Sequence, residues 1–132
     1  MSEDAATSSG TDSRPRRILI VDDEPMVRQV LAQHLLRSGW AVSEAGSAEE
    51  GLRTVASGRF DLVLLDVNLP GMSGFQAVER FSGASSAPVV LMSGHADQEF
   101  RKDALLLGAR DLLPKPIDLT ELNRVIETLK TD

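Results

Sequence analysis

Apolar residues along this chain form two kinds of pattern, unbroken runs and helical stripes, and the two alternate. Ile18-Leu19-Ile20-Val21, Leu62-Val63-Leu64-Leu65 and Pro88-Val89-Val90-Leu91-Met92 are the runs. A short run bounded by turn residues predicts a strand buried on both faces, as in a parallel sheet. Trp40-Ala41-Val42-Ser43-Glu44-Ala45 only half-alternates, as an edge strand does, and Gly46 closes it. Leu112-Leu113 forms a last short strand, where Pro114 offers no ladder donor and suits an edge or a strand end.

The stripes lie between these runs. Pro25 suits a first helical turn, the acids before it complement the helix dipole, and Val27, Val30, Leu31, His34 and Leu35 recur at helical spacing until Gly39, which fits the C′ position. His34 reads as a helix-side residue, since no second His or thiol is near it. Ser47 and Glu50 form a capping-box signature ahead of Ala48, Leu52 and Val55, and Gly58 ends that helix. Ser73-Gly74 starts a shorter helix through Val78 and Phe81, with loop from Ser82 to Ala87. Phe100, Ala104 and Leu107 align in a helix from about Asp97 to Leu107. At ~100° per residue, Leu105 and Leu106 fall to either side of that line, so at least one of them is expected to be partly exposed. Asp118 with Glu121 begins the last helix, whose apolar face is Leu119, Leu122, Ile126 and Leu129. Five strands alternating with five helices predict an α/β fold, a parallel sheet covered on both faces through right-handed crossovers.

Composition narrows the class. The 132 residues, 42% hydrophobic and 26% charged, suit one ordinary domain, and the formal net charge of -6 argues against a role resting on nonspecific nucleic-acid binding. With no cysteine there is no disulfide, thiolate metal site or thiol nucleophile. No apolar run approaches the ~20 residues that span a bilayer, and the N-terminus lacks the apolar core of a signal peptide, so a cytoplasmic protein is expected. Residues 1–15 hold no large aliphatic or aromatic side chain after Met1 and read as a flexible polar tail, with the domain over 16–132. Arg14, Arg16 and Arg17 are either solvated there or a small docking patch.

The candidate chemistry lies at the ends of the strands. Asp66 follows a wholly apolar run of four and leads into Val67-Asn68-Leu69-Pro70-Gly71. It reads either as a carboxylate at the mouth of a site or as the start of a turn. If the first and third strands are neighbours, Asp22, Asp23 and Asp66 meet, and each pair near 4 Å repels by about 4 kcal/mol at an effective dielectric of 20. Such a cluster takes up protons or binds a cation, and oxygen donors without His or Cys point to Mg²⁺ or a similar ion. Ser93-Gly94 adds a hydroxyl and a small residue, and Lys115 a point charge. Acids, hydroxyl and lysine together make a phosphoryl site.

Val21-Asp22-Asp23, Asp66 followed by Leu69-Pro70-Gly71-Met72-Ser73-Gly74, Met92-Ser93-Gly94, and Gly108-Ala109 leading to Lys115-Pro116 resemble the receiver domain of the two-component response regulators, from about Arg17 to Leu129. The resemblance implies the flavodoxin-like strand order 2-1-3-4-5, known from a chemotaxis member of that family. It implies that Asp66 takes a phosphoryl group from a sensor histidine kinase or phosphotransfer protein. It further implies Mg²⁺ held by Asp23, Asp66 and the main-chain carbonyl of Asn68, with Asp22 acting through a metal-bound water. Lys115 and Ser93 would contact the phosphoryl group, and the Lys115-Pro116 peptide would be cis. The protein would be a phosphoacceptor switch and not a turnover enzyme, with self-dephosphorylation left open. Output would pass to a downstream protein or a second copy through helix 4, strand 5 and helix 5, without direct nucleic-acid or membrane contact.

Two departures stand out. Leu112 occupies the position, three residues before the lysine, where the family most often has Tyr or Phe, so no aromatic ring can relay the state of Ser93. Leu105, Leu106 and Leu112 together suggest an unusually apolar output surface. His95, two positions after Ser93, is either a modulator of phosphoryl lifetime or a plain loop residue. The chain stops shortly after Leu129, so a stand-alone regulator and a fragment of a longer transcription regulator or hybrid kinase both stay open. A dehalogenase-type phosphatase would want an Asp where Asn68 stands, and a flavodoxin-like cofactor binder a hydroxyl- and Gly-rich loop where Asp22-Asp23-Glu24 stands.

Overall fold

The computed structural model describes residues 15–94 and 97–130. Ten elements alternate along it: β1 (Arg17–Val21), α1 (Pro25–Arg37), β2 (Ala41–Ala45), α2 (Ala48–Ala56), β3 (Leu62–Asp66), α3 (Gly74–Ala84), β4 (Val89–Ser93), α4 (Gln98–Leu106), β5 (Asp111–Pro114) and α5 (Leu119–Lys130). The strands form one parallel sheet in the order β2-β1-β3-β4-β5. β1 is in register with β2 on one side, Val21 opposite Ala45, and with β3 on the other, Val21 opposite Leu65. The order therefore reverses beside β1, and at such a switch point the carboxyl ends of neighbouring strands open a crevice.

The apolar runs are buried because the sheet is covered twice. Ile18, Ile20, Leu62, Leu64, Val90 and Met92 face Leu31, Leu35, Leu122 and Val125 of α1 and α5. Leu19, Val21, Val63, Leu65, Val89 and Leu91 face Ala48, Val55, Val78, Phe81 and Ala104 of α2, α3 and α4. Each buried Leu, Ile or Val contributes about 1.5–3 kcal/mol over exposure. β2 and β5 are the edges and keep half-buried or exposed positions. No helix among the described residues is long and apolar enough to cross a membrane.

Local signals set the boundaries. Pro25 opens α1, and Gly39, two residues after its end, takes φ 94°, which a side chain would disfavour. Ser73 and Gln76 form a full capping box on α3. At α2 only half of the expected box exists: Ser47 Oγ accepts from the Glu50 N–H, but Glu50 Oε1 accepts from Gly46 and not from Ser47.

Several side chains depart from the sequence expectation. Val30 is 54% exposed, because the α1 face turned to the sheet is set by Leu31, Ala32 and Leu35. Helix α3 runs on through Ser82 to Ala84, held by the burial of Ala77, Val78 and Phe81. Leu112, expected on an apolar surface, is 3% exposed and packs into the core with Leu91 and Ala104. Leu105 and Leu106 are the exposed ones, at 41% and 76%. Arg16 and Arg17 stack over Trp40 and Phe60 as parts of the fold, whereas Arg14 lies outside the described residues.

Candidate functional site

Strand alternation and the switch point bring the acids together. Asp66 ends β3 on the same side as Leu62 and Leu64 and is 2% exposed. Asp22 follows β1 with the parity of Ile18 and Ile20 and is fully buried, while Asp23 beside it is exposed. One carboxylate oxygen from each of Asp22, Asp23 and Asp66 lies within 4.8 Å of the others.

Asp22 is anchored by hydrogen bonds at its N–H, its carbonyl and one carboxylate oxygen. Its N–H donates to Ala45 O at 3.1 Å, its carbonyl accepts from Arg28 Nη1, and its Oδ1 accepts from the Glu24 N–H at 2.9 Å. Oδ2 meets Lys115 Nζ at 2.9 Å as an ion pair and has no further partner. Asp66 Oδ1 accepts from the Asn68 N–H at 3.1 Å, an Asx-type turn, and lies 3.3 Å from Lys115 Nζ. Glu24 Oε1 is 3.9 Å from the same ammonium.

These contacts set the charge balance. Burial pushes the Asp66 carboxyl above its ordinary value, and the Asp22 charge adds to this; the Asn68 N–H and Lys115 pull the other way without cancelling it. Burial pulls Lys115 down, but the adjacent Asp22 and Asp66 carboxylates outweigh it and raise the ammonium above its ordinary value. A hard divalent cation fits such a site: all donors are oxygen, one carboxylate faces solvent, and the buried Asp22 Oδ2 still has capacity to accept.

The remaining strand ends surround the acids. Met92 is the register partner of Asp66, so Ser93 lies one step nearer the mouth, and it is fully buried. A Cβ built on Gly94 would meet nothing within 4 Å, so space is open beside it. Pro114 pairs with Ser93 but has no N–H, and the Lys115 N–H donates to Ser93 O instead, at 2.8 Å. The Lys115-Pro116 peptide is cis. On the other side of the mouth, a Cβ on Gly74 would fall 2.8 Å from Val67 Cβ, so only glycine lets α3 press this closely on the loop after Asp66. Arg101 of α4 reaches β5, with Nη2 2.6 Å from Asp111 Oδ1 and Nη1 3.3 Å from Leu112 O. His95 lies outside the described residues. Sequence reasoning passed over Arg28, whose one signal is its place a turn after Asp-Asp-Glu-Pro.

Residues 18–127 match the family model for the response regulator receiver domain, and the chain belongs to that family. The transcriptional activator protein PfeR of Pseudomonas aeruginosa is 38% identical over 113 residues, covering 86% of this chain and 37% of PfeR. The regulatory protein AtoC of Escherichia coli is 38% identical over 112 residues, covering 84% of this chain and 24% of AtoC. The chain thus spans about a quarter to just over a third of these relatives. A CheY-like receiver domain protein from Methanospirillum hungatei superposes with a TM-score of 0.81 at 30% identity, over 89% of this chain and 95% of that one. The CheX-CheY-BeF3-Mg²⁺ complex of Borrelia burgdorferi gives 0.79 at 25% identity, over 87% and 89%. The flavodoxin-like fold and the receiver class expected from the sequence therefore hold, and a dehalogenase-type phosphatase or a flavodoxin-like cofactor binder is set aside.

Proposed function

We propose that Asp66 is the phosphoacceptor of a two-component phosphorelay. The observation that carries this is a buried strand-end carboxylate whose Oδ1 is already fixed by the Asn68 N–H and faced by Lys115. Oδ2 is left to attack. A bond forms from Oδ2 to the phosphorus of a phosphohistidine on a sensor histidine kinase or phosphotransfer protein, as the P–N bond breaks and its electron pair leaves with the ring nitrogen. Lys115 turns toward the incoming phosphoryl oxygens, and Ser93 and the open space at Gly94 receive them.

Asp23, Asp66 and the main-chain carbonyl of Asn68, with Asp22 through a water, would hold Mg²⁺; when bound, the ion neutralises charge on the transferring group. The three-carboxylate cluster and the magnesium named with the Borrelia relative support this. The protein acts as a switch and not as a turnover enzyme, in the cytoplasm, without direct contact with nucleic acid or membrane. Its output passes through α4, β5 and α5 to a downstream protein or a second copy. The domain is assigned to residues 16–132; the tail expected at 1–15 falls, through residue 14, outside the described residues, as do residues 131 and 132. A second reading, the receiver part of a longer transcription regulator, is favoured by the partial coverage of PfeR and AtoC.

Incubation with acetyl phosphate and Mg²⁺, read by intact mass, tests the site. A labile gain of one phosphoryl group, absent in Asp66→Asn, is expected. Wild type that gains none, even from a phosphorylated kinase, would mean a receiver fold without its chemistry.

A further inference from the structure

Arg28 is a half-buried guanidinium on α1 that the acceptor chemistry does not use. Its Nη1 donates to Asp22 O, its Nε lies 3.2 Å from Glu44 Oε1 on edge strand β2, and a Cβ on Gly46 would come within 3.4 Å of Nη1. Asp22 O is the carbonyl of the peptide that joins Asp22 to Asp23. The Asp22 N–H is already held by Ala45 O in the loop direction of β2. Arg28 therefore fixes the other end of the same residue, and Glu44 fixes Arg28.

We propose that Arg28 is a positioning residue for the divalent-cation site: it clamps the Asp22-Asp23 peptide against β2, so that the backbone of Asp23 keeps its exposed carboxylate within reach of Asp66. This rests on the metal-dependent acceptor reading above. Asp23 is exposed and has no hydrogen bond or ion pair to another described residue, so the position of its backbone is what holds its carboxylate within reach of the cluster. Such outer partners of metal ligands typically carry 10–100-fold in metal affinity. The fork of Arg suits the task because Nη1 and Nε bind two acceptors at a fixed angle, which an ammonium does not.

Electrostatics alone predicts the opposite sign. Arg28 is a positive charge beside a cation site, so its removal would tighten metal binding if charge were its only influence.

The experiment is calorimetric titration of Mg²⁺ into the metal-free protein, for wild type, Arg28→Met and Arg28→Lys, with thermal melts in chelator alongside. Arg28→Met is expected to weaken binding about 10-fold, and Arg28→Lys by a smaller factor because it keeps the charge but loses the fork. In phosphorylation by acetyl phosphate, the half-saturating Mg²⁺ should rise while the rate at saturating Mg²⁺ stays within about twofold of wild type. If Arg28→Met melts below the assay temperature, Arg28→Lys carries the test. A folded variant that binds Mg²⁺ as tightly as wild type, or more tightly, overturns the role of Arg28. Wild type that binds no Mg²⁺ overturns the metal reading of the site itself, and this role with it.

Discussion

The Lys115 ammonium sits closer to Asp22 than to Asp66, 2.9 Å from Asp22 Oδ2 against 3.3 Å from Asp66 Oδ1. One cation thus balances two buried carboxylates. Replacing it by Lys115→Met leaves both without a counter-charge and is expected to destabilise the metal-free fold by about 1–3 kcal/mol. Urea denaturation in chelator measures this, and added Mg²⁺ should recover part of the loss.

Asp66→Asn should move stability the other way. Because burial and Asp22 raise the Asp66 carboxyl, the folded state holds its proton more tightly than the unfolded chain does. The resulting cost of ionisation is absent below the ordinary carboxylate range. It grows as pH rises out of that range and is complete once pH has passed the raised folded value. Asp66→Asn is therefore expected to stabilise the metal-free protein at pH 7 by about 0.5–2 kcal/mol, with the advantage vanishing in acid. Melts in chelator across that range decide it; an advantage that is constant with pH would mean that Asp66 ionisation is not its source.

Core and surface leucines near the edge strand should separate cleanly. Leu112→Ala removes a buried side chain and is expected to cost about 2–5 kcal/mol. Leu106→Ala should stay within about 0.5 kcal/mol. Denaturant midpoints compare the two directly.

Leu105 and Leu106, exposed on α4, make self-association through that face testable. With a phosphoryl analogue and Mg²⁺, light scattering is expected to show an increase in mass that Leu106→Asp abolishes. A mass that stays monomeric would assign output to a different partner.

Gly74→Ala places a methyl group 2.8 Å from Val67 Cβ and must displace the loop after Asp66. An overpacking cost of about 1–3 kcal/mol is expected, together with slower phosphorylation by acetyl phosphate, followed by intact mass.

Much of this was legible in the sequence because burial on both faces of a parallel strand removes alternation. Ile18 to Val21 and Leu62 to Leu65 could then be read without knowing their neighbours, and the acids that follow them inherit the strand parity. Helix faces were less legible. Val30 and Leu31 are adjacent and both apolar, and only the angle at which α1 lies on the sheet decides which is buried. Leu112 had the same ambiguity on a short edge strand, and position in the family suggested surface where packing made it core. The strand order came from family resemblance, since no local pattern says that β1 lies between β2 and β3. Arg28 gave almost no signal because its partners, a carbonyl and a glutamate on β2, are brought to it only by tertiary structure.

The bond from the Lys115 N–H to Ser93 O makes the hydroxyl and the ammonium parts of one rigid bracket. Whatever tugs the end of β4 toward a new oxygen also drags the start of the β5–α5 turn. If Ser93 and Lys115 receive the phosphoryl oxygens as proposed, the message needs no swinging ring, because the backbone bond already yokes the two residues.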